Sequence, residues 1–398
     1  MPASSTDSTP PDPTPSDIHE TATRIVLGND SRARQADTLL DGRLEITSTR
    51  GLHGPERLLI SAYDQGLSGK VLSLLSREGV AALTAARLFP TAEVHLFELD
   101  SYERSRALRT AQANEISTLR THLQSDLPKN DYDWVCLPAS QSGDAILCGD
   151  LLRQAFHALR PRGKLLAATD NRRDRWLHGR IRDVFGDVTI YRRDRSGIVY
   201  VARRQSGKAP PRKRRFVREF SGRLFGQIVE LQSRPGVFSH GRVDDGALSL
   251  ADIVELSQSS RVLDLGCGSG ALGVAAALAA PSGFVVLVDS NVRSVEDAHA
   301  NLARNGALAN AAVLLAHDFH GLRDNSFDVV LANPPYYSDY RILELFTRES
   351  RRLLDANGVY YCVTKTQERA LDICRQSFDQ CEAIQRRDYA VIRCRQLK

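Results

Sequence analysis

The chain has 398 residues, 42% hydrophobic and 25% charged, with a formal net charge of +5. That length and composition suit two globular domains with separate cores, and the mild basicity is compatible with a polyanionic partner. No run approaches the about 20 apolar residues of a membrane-spanning helix, so no membrane partner is expected, and seven cysteines without a Cys-x-x-Cys pair point to reduced thiols in the cytoplasm.

Residues 1–21 open the chain, and the first 17 (MPASSTDSTPPDPTPSD) have neither an apolar core nor a basic residue. A disordered tail is expected there rather than a signal peptide. From 22 to 205 apolar strands alternate with helical segments. GKVLSLLSREGVAALTAARLFPTAEVHLFELD begins at Gly69 and reads strand, turn, Ala/Leu-rich helix, then strand ending in an acid. SRVLDLGCGSGALGVAAALAAPSGFVVLVDS, beginning at Ser260, repeats that pattern. Val71 to Glu98 spans 27 residues, as does Val262 to Asp289. YDWVCLP at 132–138 aligns with FDVVLAN at 327–333, and Gly163 falls opposite Gly358. Two copies of one unit are therefore expected, an α/β fold of two tandem Rossmann-like domains with parallel strands and crossover helices. A chain that already holds two copies is expected to be a monomer.

The first copy is degenerate. Its turn, LSLLSREGVAAL, has Leu, Ser and Arg where the second has glycines, and Ser73 stands where an acid is needed. No cofactor is expected in it. Residues 206–233 read as a basic linker, since 203–218 hold eight basic side chains and no acid around a Pro-Pro pair. Both a solvated connector and a phosphate-contacting strap fit that composition. The second domain is placed at 234–398.

Its glycine turn, VLDLGCGSGALG, carries Gly266, Gly268 and Gly270, which let a ligand approach the backbone. Asp264 precedes them on the strand, placed to engage the cationic amino acid end of S-adenosylmethionine. Asp289 ends the next strand, where a carboxylate accepts ribose hydroxyls. His317 and His320 lack neighbours to complete a metal set, so surface histidines and no metal are expected. Asn333-Pro334-Pro335-Tyr336 follows the strand DVVLA. An exocyclic amine is a poor nucleophile because its lone pair is delocalised. The Asn333 side-chain oxygen and the Pro334 carbonyl can accept both amino hydrogens, while the prolines fix the backbone. Tyr336 offers a face on which an unstacked base can lie.

In this order the motifs resemble class I methyltransferases acting on exocyclic or amide nitrogens. The degenerate first copy, followed by RPGVFSHGRVDDGALSL from Arg234, resembles the bacterial ribosomal-RNA guanine-N2 methyltransferases. The likeness spans the chain from about residue 22 and is strongest at 234–340. It implies that the segment holding Phe238 and Ser239 covers the cofactor, that Asp318 meets the adenine amino group with Phe319 against the ring, and that Asp244 is the acid before the next helix. It also implies that the first domain recognises RNA and that guanine in ribosomal RNA, free or in a ribosomal subunit, is methylated. The family carries Phe then His after the two prolines, where Tyr336 and Tyr337 stand here. Adenine N6 and protein glutamine are alternative acceptors for the same tetrapeptide, and a non-catalytic RNA-binding assembly factor is the third reading.

Overall fold

The computed structural model describes residues 23–27, 44–48, 52–129, 131–206, 216–334 and 340–396. The expected tail at 1–21, the linker centre at 207–215, and Tyr336 lie outside the described residues.

Strands β1 (Thr23–Leu27) and β2 (Leu44–Ser48) pair antiparallel. The first unit begins with α1 (Gly54–Ile60), β3 (Lys70–Leu74), α2 (Val80–Leu88), β4 (Glu93–Glu98), α3 (Ser101–Ala113) and β5 (Arg120–Leu123). It continues through β6 (Tyr132–Ala139), α4 (Ala145–Ala158), β7 (Leu159–Thr169), α5 (Trp176–Phe185), β8 (Thr189–Arg193) and β9 (Ile198–Arg203). A hairpin of β10 (Arg218–Leu224) and β11 (Gln227–Ser233) follows. The second unit opens with α6 (Asp245–Ala251), β12 (Arg261–Leu265), α7 (Ala271–Ala279), β13 (Phe284–Asp289), α8 (Val292–Arg304) and β14 (Ala311–Leu315). It closes with β15 (Phe327–Ala332), α9 (Arg341–Leu353), β16 (Leu354–Thr364), α10 (Gln367–Arg375), β17 (Gln380–Arg386) and β18 (Tyr389–Arg395).

The two seven-stranded sheets have orders β5-β4-β3-β6-β7-β9-β8 and β14-β13-β12-β15-β16-β18-β17, identical strand for strand. Six strands of each run in one direction, and β9 and β18 insert antiparallel between two of them. This is the tandem Rossmann-like architecture that the repeated pattern implies. Near-continuous apolar strands such as RVLDL and FVVLVD suit a sheet covered by helices on both faces, and Val262, Leu263 and Leu265 are fully buried. Strand order reverses at β12, so the ends of β12 and β15 open the crevice where such sheets take ligands. Among the described residues no helix is long and apolar enough to cross a membrane.

Residues 218–233, which composition places in the linker, form a hairpin packed on the second unit. Phe225 (φ 49°) and Gly226 (φ 76°) make its two-residue turn, the positive-φ geometry that matches strand twist. Asn301 of α8 holds its edge: Gln232 N donates to Asn301 Oδ1 at 2.8 Å, and Asn301 Nδ2 donates to Gln232 O at 2.9 Å.

The units meet at the carboxyl ends of their sheets. Ser101 N donates to Ser290 O and Val292 N to Leu99 O, both at 2.8 Å, around an antiparallel bridge of Asp100 with Asn291. Asp100 and Asn291 each begin the helix after the second strand of their copy. Equivalent positions therefore contact each other, which is the pattern of a two-fold interface.

Candidate active site

The glycine turn is pinned to the end of β13. Gly266 N and Cys267 N both donate to Val288 O, at 2.8 and 3.0 Å, and Gly268 N donates to Asp289 Oδ2 at 2.9 Å. Gly270 (φ 83°) starts α7, and a Cβ there would stand 2.9 Å from the Ala298 Cβ, so a side chain would push α8 off the loop. Around Gly268 (φ 55°) the atoms that an added Cβ would meet within 4 Å among the described residues belong to Phe238, which is 49% exposed and overlies the turn.

Two buried carboxylates flank this turn. Asp264, on β12, accepts from Gly273 N at 2.9 Å. Burial pushes its pKa up to about 7, the Gly273 amide opposing and the Asp289 charge adding to the rise. Asp289 accepts from Gly268 N and, through Oδ1, from Asn291 N at 2.8 Å. Burial raises its pKa to about 6 against the pull of those amides. Ions held this close to protonation favour a cationic or hydroxyl-bearing ligand that replaces lost water.

In the sheet Ala332 pairs with Leu265, so Asn333 leaves β15 directly beside the glycine turn. Asn333 Nδ2 donates to Asp244 Oδ2 at 2.9 Å. That carboxylate also caps α6 by accepting Gly246 N at 2.9 Å. A carboxylate only accepts, so Asp244 dictates which end of the Asn333 amide it meets. Asn333 Oδ1 is left buried with no hydrogen-bond partner among the described residues. A Cβ on Gly246 would stand 2.9 Å from that oxygen. Pro334 is buried beside it.

The remaining expected residues are nearby but differ in openness. Asp318 is half-exposed past the end of β14, with His320 N at 3.4 Å from its Oδ1. Phe319 is buried, edge-on to Phe346 at 5.9 Å, and Phe346 in turn lies under Gly266. The Ser239 Oγ is buried without a partner. His317 is not a free surface side chain: its Nδ1 lies 3.2 Å from Ser101 Oγ of the first unit. Sequence reasoning passed over Gly246, Phe346 and the tie from Asp244 to Asn333. The Asp-x-Gly helix start at 244–246 is the one local signal that marks any of them.

The first unit keeps the turn's shape without its chemistry. Leu75 (φ 47°) and Gly79 (φ 70°) hold the conformations of Gly266 and Gly270. Arg106 and Glu78, both buried, form an ion pair against this turn.

Two sheets of one strand order, the second with its glycine turn and Asn-Pro strand end side by side, define a tandem methyltransferase-like fold. The Methyltransferase small domain model matches residues 46–200 and 228–393, and the chain belongs to that family. It is 30% identical over 171 residues to the ribosomal RNA small subunit methyltransferase C of Vibrio vulnificus (strain CMCP6), covering 42% of this chain and 49% of that protein. It is 27% identical over 173 residues to the ribosomal RNA large subunit methyltransferase G of Psychromonas ingrahamii, covering 41% and 45%. The chain thus spans about half the length of the curated relatives it matches. A T. Thermophilus 16S rRNA N2 G1207 methyltransferase, solved with AdoMet and guanosine, superposes with a TM-score of 0.72 at 23% identity, over 94% of this chain and 98% of that one.

Proposed function

We propose that the second unit transfers a methyl group from S-adenosylmethionine to the exocyclic N2 of a guanine in ribosomal RNA, acting as a monomer whose first unit, 22–205, binds RNA and no cofactor. The observation that carries this reading is the Asn333 amide, its nitrogen tied to Asp244 and its buried oxygen unpaired beside the glycine turn. The likeness to ribosomal RNA methyltransferases, and to a structure holding AdoMet and guanosine, supports the choice of substrate and cofactor.

S-adenosylmethionine supplies an electrophilic methyl group on a sulfonium. Asp264 would hold its amino acid end, Asp289 its ribose hydroxyls and Asp318 the adenine amine, with Phe238 and Ser239 over the turn. Asn333 Oδ1 and the Pro334 carbonyl accept the two hydrogens of the guanine amine. Those acceptors draw the nitrogen lone pair out of the ring and aim it, without needing to reorganise as charge develops. Tyr336 supplies the stacking face. With the donor bound, the new N–C bond would form as the S–CH3 bond breaks, S-adenosylhomocysteine would leave as the neutral thioether, and the amine's surplus proton would pass to water.

Nucleoside mass spectrometry of ribosomal RNA from a strain lacking the gene tests the proposal. Loss of one N2-methylguanosine is expected, restored by wild-type protein and S-adenosylmethionine in vitro. Unchanged guanine methylation overturns it, and loss of N6-methyladenosine instead moves the acceptor to adenine.

A further inference from the structure

Between α4 and α5 of the first unit runs a cleft of about 240 Å³ that the methyl-transfer chemistry does not use. Ile146, Arg153, Trp176, Arg180, Phe216 and Arg218 line it, with Asp183 as its one acid. Trp176 is 43% exposed and Ile146 42%, although side chains of this size are ordinarily buried. The Arg153 guanidinium stands 6.0 Å from the centroid of the Phe216 ring. Arg180 reaches Asp183 at 3.4 Å, while its buried Nε has no partner. Just ahead of Trp176, Arg172, Arg173 and Arg175 are exposed and make no ion pair among the described residues. The acid between them, Asp174, is turned inward and accepts from Leu177 N, His178 N and Tyr200 Oη. An exposed indole thus follows three exposed arginines, Arg172, Arg173 and Arg175, that have no ion pair among the described residues.

Two contacts tie the walls of the cleft to the second unit. Asp144, at the head of α4, accepts from Gly236 N at 3.1 Å, and the Arg218 side chain packs on Gly241. Both glycines belong to the segment that carries Phe238 over the glycine turn.

We propose that this cleft docks an unpaired stretch of the RNA substrate, with a base stacked on Trp176 and flanking phosphates held by Arg172, Arg173 and Arg180. The proposal rests on RNA being the substrate. Duplex RNA hides its base faces, so an open indole flanked by arginines selects single strands. An acidic protein surface satisfies the arginines but has no planar base for the indole.

The chain contains two tryptophans, and Trp134 is 5% exposed, so intrinsic fluorescence reports chiefly on Trp176. Full-length protein titrated with a short unstructured oligoribonucleotide should show quenching that Trp176→Phe abolishes. Trp176→Ala should weaken that binding by about 5- to 100-fold, the worth of one stacked base. Arg172→Ala with Arg173→Ala should lower the salt slope of binding by about 0.7 for each phosphate no longer neutralised. S-adenosylmethionine affinity should stay as in wild type for all three, which reports an intact fold. Equal quenching by duplex RNA or by an acidic protein overturns the proposal, as does wild-type oligonucleotide affinity in Trp176→Ala. If those results come from protein that still methylates ribosomal RNA, the docking site alone is wrong. If single strands bind and quench but ribosomal RNA is not methylated, the catalytic reading alone fails.

Discussion

An amide side chain can offer either its oxygen or its nitrogen, and its surroundings decide which. At Asn333 the deciding group is the Asp244 carboxylate, which meets the nitrogen and leaves the oxygen without a partner among the described residues, the end that the proposed mechanism offers to the amine. Asn333→Ala should cut kcat by about 10²–10³-fold, as loss of one preorganised polar partner does, with cofactor affinity unchanged by calorimetry. Asp244→Asn can meet either end of the amide, so it too should lower kcat. In the double variant the two losses should overlap rather than add; additive losses would mean that Asp244 serves only as the cap of α6. The two strand-end acids make a pH prediction. A raised folded pKa favours the protonated form, so their contribution to stability is full below the ordinary 3.8 and fades as pH rises through about 6 to 7. A cation bound at Asp264 prefers the ionised form. The Kd for S-adenosylmethionine should therefore fall between about pH 5.5 and 8, and its thermal stabilisation should grow over that range. Asp264→Asn should flatten both trends, and a Kd independent of pH in wild type would refute the assignment. The glycines, Asp264, Asp289 and Asn333 were legible in the sequence because each announces itself at a strand end. Asp244 and Gly246 meet Asn333 from 89 and 87 residues away. No local pattern encodes that meeting; only the packing of α6 on the sheet creates it.

Elements preserve shape longer than chemistry. The first unit's turn retains positive φ at Leu75 and Glu78, conformations that cost a non-glycine residue about 1 kcal/mol or more. Its counterpart of Asp289, Glu98, is buried with Oε1 unpaired, and burial pushes its pKa well above the carboxylate range. Such a group is poorly suited to accept from a ribose, and the turn of this unit carries Glu78 in a buried ion pair with Arg106. Calorimetric titration of the full chain should therefore give one S-adenosylmethionine per molecule, and two would refute the division of labour. The strand-helix alternation of both units was legible because apolar runs and Ala/Leu-rich helices have distinct periods. The hairpin at 218–233 was obscured by its polar outer face: Glu219, Arg223 and Glu230 are exposed, and only Leu224, Val229, Leu231 and Ser233 turn fully inward. Its alternation is the readable trace that the basic run before it masked.

For the whole molecule, the seam between the units is where a fused pair differs from two independent domains. Its backbone bonds join equivalent positions, yet its side chains have diverged to serve one cofactor site. Arg293, only 1% exposed, begins α8 two residues after Asn291 and reaches into the first unit. Its Nη2 donates to Asp150 of α4 at 2.7 Å and its Nε to Ser125 O at 2.8 Å. Its Nη1 donates to Pro235 O at 2.7 Å, in the segment that leads to Phe238. One guanidinium thus ties α4 of the degenerate unit to both the strand-end turn behind Asp289 and the cover over the glycine turn. Removing one partner of a buried ion pair typically costs about 3–5 kcal/mol, since the other charge and the freed carbonyls stay buried. Arg293→Ala should therefore lower the thermal midpoint and weaken S-adenosylmethionine binding together, although no atom of Arg293 is assigned to the cofactor. Arg293→Lys keeps the charge but cannot span three acceptors in one plane, so it should restore stability more than affinity. Equal recovery of both would make the seam a matter of stability alone. Affinity that lags behind stability would show that the first unit holds the segment over the glycine turn in place, which gives the degenerate unit a role in the site of its neighbour.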